Sequence, residues 1–232
     1  MNHWIFENTI AKWQGDSLAL SWDSARPHSE LRVFHPGGDT QPTCRLFGVS
    51  LDGSPSETLP PLEHVTACGA TLRAAFSATE RFPVDMQIAW HLLDLGSAVL
   101  ALDVVVSVET RQLDVVPRVL LSTRIGDADV VLPANREKPE GRPKTYRLCR
   151  RRDAGPSYAE MIHPTDFHSF ATLPDRESTG VLFRHTLFTS SLEKGVILRA
   201  RLRGLLLPRE DDEATADACF RRFLDTPLPL GR

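Results

Sequence analysis

Several features are missing from this 232-residue sequence, and each absence narrows its function. The longest apolar run, Val99 to Val108, is broken by Asp103 and is about half the roughly 20 residues that a membrane-spanning helix needs, so no membrane partner is expected. The N-terminal stretch Met1-Asn2-His3-Trp4-Ile5-Phe6-Glu7 lacks the basic and apolar regions of a secretory signal. The four cysteines, Cys44, Cys68, Cys149 and Cys219, stand far apart with no C-x-x-C pair. Free thiols in a reducing, cytoplasmic setting are therefore expected, and no metal site. There is no G-x-G-x-x-G, P-loop, G-x-S-x-G, H-E-x-x-H or His-x-His. Nucleotide binding and the common hydrolase mechanisms have no support, and no cofactor is expected. A charge excess is missing too: Lys+Arg 27 against Asp+Glu 30 leaves a net charge of -3, which argues against a nucleic-acid partner held by bulk electrostatics.

What the sequence does contain is a repeat of period two. Val84, Met86, Ile88, Trp90 and Leu92 alternate with the polar Asp85, Gln87 and His91. Successive side chains of a strand point to opposite faces, so this pattern predicts a half-buried strand. After a hairpin turn at Asp94-Leu95-Gly96-Ser97, Ala98, Leu100, Leu102, Val104, Val106 and Val108 share one face. Alternating segments also cover Leu18–Trp22, Leu31–Val33, Leu72–Phe76, Val115–Arg124, Tyr146–Arg150, Tyr158–Ile162, His168–Leu173, Val181–Phe188 and Gly195–Leu207. Gly 14 and Pro 17 supply the turns between them. The prediction is an all-β chain, a large antiparallel β-sandwich forming a single domain over residues 1–232. Trp22 and Trp90 fall on apolar faces and read as core, whereas Trp4 and Trp13 could be core or sugar-stacking. One helix is expected at about 211–225, capped by Asp211 or Asp212 and packed through Ala216, Phe220, Phe223 and Leu224. The longest expected loop runs from Pro133 to Lys144.

Three groups of residues could carry chemistry. Tyr158 to Phe170 holds His163, Asp166, His168 and Glu160 around a strand-to-strand turn. An imidazole there suits proton transfer near neutral pH, and the alternative is plain turn chemistry. Arg199, Arg201 and Arg203 share one face of a strand at ~7 Å spacing, where they could hold carboxylates, phosphates or sugar hydroxyls. Alternatively, they pair across strands with groups such as Asp103 or Glu109. Glu193 precedes that strand and could act as a base, or it is a solvated turn residue. His185 alternates with Phe183 and Leu187, so a core histidine with a hydrogen-bond partner is expected. The basic stretch Arg136–Arg152 reads as a solvated edge strand.

The whole pattern resembles the galactose mutarotase-like supersandwich, whose members include aldose 1-epimerases and domains attached to glycoside hydrolases and lyases. The local likeness is His163-Pro164-Thr165-Asp166-Phe167-His168-Ser169-Phe170, set against a family stretch like Asn-Pro-Thr-Asn-His-Ser-Tyr with one residue inserted. The resemblance implies an antiparallel supersandwich and a carbohydrate or sugar-acid ligand. It places His168 on the family's catalytic histidine and Glu193 in the role of its base, with His163, Asp166, Arg199 and Arg201 as substrate-binding residues. The alternative is a non-catalytic ligand-binding or protein-interaction domain on the same fold.

Overall fold

The computed structural model describes residues 3–16, 18–34, 42, 44–51, 59–96, 98, 100–132, 145–166, 169–176 and 178–227. Among them the chain forms sixteen strands and one helix. In order these are β1 (Trp4–Glu7), β2 (Ile10–Gln14), β3 (Ala19–Asp23), β4 (Leu31–Phe34), β5 (Cys44–Leu51), β6 (Leu62–Cys68), β7 (Thr71–Phe76), β8 (Asp85–Leu93) and β9 (Leu100–Glu109). Then come β10 (Val119–Ile125), β11 (Ala128–Leu132), β12 (Tyr146–Arg151), β13 (Ser157–Ile162), β14 (Ser169–Pro174), β15 (Val181–Leu187), β16 (Ile197–Leu207) and the helix α1 (Asp212–Asp225). The Pro133–Lys144 loop lies outside the described residues.

Two eight-stranded antiparallel sheets face one another. Sheet A runs β1-β2-β3-β4-β5-β10-β15-β14, and sheet B runs β11-β12-β13-β16-β9-β8-β7-β6. The longest ladders form the middle of sheet B, where β9 pairs with β16 from Leu100↔Leu206 to Glu109↔Ile197. The period-two residues face inward as expected: Met86, Ile88, Trp90 and Leu92 of β8 and Leu102, Val104, Val106 and Val108 of β9 are buried in the shared core. Trp22 of sheet A and Trp90 of sheet B meet there with ring centroids 5.1 Å apart. At one margin the sheets are tied together by Trp4, whose indole Nε1 donates to the Ala70 carbonyl at 3.3 Å. The four cysteines are free thiols.

The strand predictions differ from the structure where alternation is interrupted. β5 was not readable because Leu46 and Phe47 are both buried, at a bulge where Phe47 takes φ 55. β6 is an edge strand with little burial, so its apolar pattern is weak. β10 starts at Val119 rather than Val115, because Arg118, with φ 44, breaks the extended run after Pro117. Val115 instead makes one isolated bridge to Leu192.

The helix forms at the expected place with a different capping scheme. Asp211 is the N-cap, in a left-handed conformation, and its side chain makes no capping bond. Asp212 turns down onto the sheet: its carboxylate accepts from Arg150 Nε at 2.8 Å and Nη2 at 2.6 Å and from Ser157 Oγ at 2.5 Å. Ala216, Cys219, Phe220 and Phe223 then pack on Tyr146, Leu148, Ala159, Met161, Leu205 and Leu207, covering part of the outer face of sheet B.

Candidate functional site

The residues singled out in the sequence fall into two places. Asp166, buried in the turn after β13, accepts the Arg201 backbone N–H through Oδ2 at 3.0 Å. It thereby continues the ladder where β13 stops, opposite Leu202. Thr165 Oγ1 donates to Asp166 Oδ1 at 2.8 Å and lies 2.7 Å from His163 Nδ1. The His163 ring stands edge-on to Phe223 with centroids 6.2 Å apart. Arg201 completes this group. Its guanidinium lies over the Phe223 ring and donates to the carbonyls of Phe223 at 2.9 Å, Thr226 at 2.7 Å and Pro227 at 3.1 Å. Phe223 lies in the last turn of α1, where its carbonyl also accepts the Thr226 N–H at 3.3 Å, and Thr226 and Pro227 follow the helix, so Arg201 pins the helix end and the chain leaving it to the sheet. Burial pulls its pKa below the usual guanidinium range. His168 lies outside the described residues.

Glu193 and Arg199 lie elsewhere. Glu193 is exposed in the turn before β16, and Gly195 of the same turn donates to the Thr110 carbonyl at 3.0 Å. Of the three arginines in phase on β16, Arg203 makes the cross-strand pair, with Nε and Nη2 donating to the two Asp103 oxygens at 2.6 and 2.9 Å. Arg199 has no such partner among the described residues and lines a groove of about 730 Å³ on the outer face of sheet B.

The register builds this groove. His64, Ala75, Gln87, Ser107 and Arg199 stand directly opposite one another across β6, β7, β8, β9 and β16. Small side chains at Ala75, Ala78 and Ser107 keep the floor low, and no lining residue comes from α1. Two rim carboxylates have structural duties: Asp85 Oδ1 accepts the Ala78 N–H at 2.8 Å, and Glu63 Oε2 accepts from Ser77 Oγ at 3.0 Å. Gln87, Ser107, Glu109 and Arg199 make no side-chain hydrogen bond among the described residues. An amide, a hydroxyl, a carboxylate and a guanidinium are thus left for a ligand.

A second polar group lies inside the sandwich. Glu160 of β13 is fully buried, accepting from Tyr158 Oη at 2.6 Å and lying 2.6 Å from His185 Nε2 of β15. Phe170 stacks on His185 with centroids 4.1 Å apart, and the Arg147 guanidinium lies 3.6 Å from the Phe170 centroid. Burial, reinforced by Glu160, pushes the Tyr158 pKa well up and keeps its hydroxyl a donor. His185 is the core histidine expected from its strand phase. Its partner, Glu160, sits between Tyr158 and Ile162 on the phase of β13 that faces the shared core, whereas the sequence grouped Glu160 with the His163–His168 turn; both faces of β13 are buried, so its phase is not readable from the strand alone. Among the described residues no cluster of His, Cys, Asp and Glu is arranged to hold a metal.

No protein-family model matches the sequence, and no curated protein matches it. Solved structures do. A Klebsiella pneumoniae protein described as an aldose 1-epimerase superposes with TM-score 0.60 at 9% identity, covering 98% of this chain and 90% of that one. The fold is the galactose mutarotase-like supersandwich. The same sandwich forms a third of two larger proteins. One is a mutant of the heparan sulfate lyase HepC from Pedobacter heparinus, at TM-score 0.50 and 10% identity, covering 85% of this chain and 33% of that one. The other is a protein from the human microbiome described as a kojibiose phosphorylase, at TM-score 0.50 and 9% identity, covering 97% and 33%. All three are similar to this supersandwich in fold.

Proposed function

We propose that the chain binds a neutral saccharide in the groove on the outer face of sheet B. The observation that carries this reading is the row of unpartnered Gln87, Ser107 and Arg199, with Glu109 beside it, set over a floor of small side chains. Vicinal sugar hydroxyls are both donors and acceptors. A guanidinium and an amide can serve one, while a carboxylate serves its neighbour. Charge chooses the type of sugar. Glu63, Glu80, Asp85 and Glu109 outnumber Arg111 and Arg199 around the groove, which disfavours sugar acids. The fold shared with proteins described as acting on carbohydrates is in keeping with this ligand class.

A thermal-shift panel of neutral hexoses, disaccharides and uronic acids tests it. Neutral sugars are expected to raise Tm and uronic acids to leave it unchanged. A panel with no stabilising neutral sugar would refute the reading.

Anomer exchange of an aldose, with His168 as acid and Glu193 as base, is the second reading. It is favoured by the turn of Glu193, which is tied to Thr110 next to the groove residues Glu109 and Arg111. Polarimetry on fresh α-glucose and α-galactose decides between them. A rate above buffer that is lost in His168→Gln and Glu193→Gln supports exchange, whereas the buffer rate leaves binding alone.

A further inference from the structure

A pocket of about 370 Å³ lies at the end of the sandwich where the turns after β2, β6 and β8 come together, and both sheets line it. Its walls are aliphatic: Leu18, Leu92 and Leu100 from the shared core, with Leu93 and Ala98 beside them. Asp16 and Asp94 add a carboxylate each, both exposed. Asp94 Oδ1 accepts the Gly96 N–H at 3.1 Å, which fixes that side chain in its turn. Asp16 makes no side-chain hydrogen bond among the described residues. No lysine, arginine or histidine is among the described residues that line the pocket.

Trp13 is the aromatic wall. The register sets it directly opposite Trp4 on one side and Leu20 on the other. Both of those are buried, whereas Trp13 is only half-buried. Gly15 permits this placement. A Cβ on Gly15 would meet Trp13 Cη2 at 2.4 Å and Cζ3 at 2.8 Å, so the six-membered ring lies against the bare backbone of the turn. The indole Nε1 is shielded from water and donates to no acceptor. Trp22 and Trp90 share that condition within the closed core, but Trp13 borders a pocket that a ligand can enter.

We propose that this pocket binds a quaternary ammonium compound that carries a hydroxyl or other acceptor oxygen. Its volume falls in the range of small-molecule sites, about 300–1,000 Å³. The face of an indole attracts a cation within about 6 Å of the ring. Asp16 and Asp94 supply the counter-charge at the mouth, and an anion would meet two like charges there. Aliphatic walls suit the methyl groups of a quaternary nitrogen, whereas a primary ammonium brings three N–H donors that leucines cannot satisfy. The N–H of Trp13 is left to donate to the oxygen of the ligand. This pocket shares no lining residue with the sheet B groove and does not depend on a saccharide binding there.

Isothermal titration at low ionic strength tests the proposal. The probes are choline, its neutral carbon isostere neohexanol, the anion tert-butylacetate, and ethanolamine, which keeps the charge and hydroxyl of choline without its methyl groups. The proteins are the wild type, the double variant Asp16→Asn/Asp94→Asn, Trp13→Leu and Glu109→Gln, the last to separate this pocket from the acidic groove. Asparagine at position 94 keeps an acceptor for the Gly96 N–H. Choline is expected to bind the wild type and Glu109→Gln alike, about tenfold more tightly than neohexanol, with tert-butylacetate and ethanolamine also weaker than choline. The double variant is expected to bind choline about fivefold or more weakly and neohexanol as the wild type does, and folded Trp13→Leu to lose choline affinity by a similar factor. The double variant changes only exposed side chains, so it decides the matter even where Trp13→Leu does not fold. No choline binding, neohexanol, tert-butylacetate or ethanolamine binding as tightly as choline, full choline affinity in the double variant or in folded Trp13→Leu, or loss of choline binding in Glu109→Gln would overturn it.

Discussion

His185 Nε2 and Glu160 Oε1 lie 2.6 Å apart between the sheets, one residue from each sheet and neither exposed to solvent. This contact joins the end strands β14–β15 of sheet A to the β12–β13 side of sheet B, with Phe170 stacked on the imidazole.

Removing one member of a buried pair leaves the other without its partner, at a cost of about 3–5 kcal/mol. Glu160→Ala should lose stability in that range in urea unfolding. A Glu160→Met/His185→Leu double variant should recover part of the loss, because neither polar group then remains. A double variant that loses the full sum of the two single effects would contradict this. Gly204, directly opposite Glu160 on β16, makes room for the network. A Cβ there would meet Tyr158 Oη at 2.8 Å and Phe47 Cζ at 3.1 Å, so Gly204→Ala should cost about 1–3 kcal/mol.

Arg201 holds the end of α1 through three carbonyls, and a lysine cannot reproduce that fork. Arg201→Lys should cost about 1–3 kcal/mol and speed amide exchange in the last turn of α1, while β8 and β9 keep their protection. Unchanged exchange at the helix end would show that this anchor contributes nothing.

Asp212 carries a pH signature. The Arg150 hydrogen bonds, the largest influence, hold its carboxyl below the usual carboxylate range against the opposing effect of burial, with smaller help from Ser157 and the Arg150 charge. A group whose folded pKa is depressed adds stability that is fully present above its unfolded pKa, about 3.9, and is lost as pH falls through the lower folded value. Asp212→Asn should therefore be less stable than the wild type at pH 7, and the gap should narrow below about pH 4. Urea midpoints measured at pH 7 and pH 3 check this, and a gap independent of pH would contradict it.

Much of the fold was legible because burial on one face imposes period two, as on β8 and β9, where the inward residues follow the alternation. The lost information lies where backbone geometry overrides the pattern. The bulge at Phe47 hid β5, and the exposed edge strand β6 has too little apolar burial to show a phase. The candidate sites were legible only in part. The strand phase put Arg199, Arg201 and Arg203 on one face. The cross-strand register, which no single strand encodes, gave each a different surrounding: a groove for Arg199, a helix end for Arg201 and Asp103 for Arg203. For the same reason the pocket beside Trp13 is invisible in sequence, since it exists only once the turns after β2, β6 and β8 come together.

The groove reading is tested most directly by calorimetric titration of the best-stabilising neutral saccharide into the wild type, Arg199→Gln and Arg32→Gln. Loss of a charged hydrogen bond at Arg199 should weaken binding about tenfold or more, and Arg32→Gln, on the far face, should bind as the wild type does. Wild-type affinity in Arg199→Gln would contradict the assignment of the ligand to this groove.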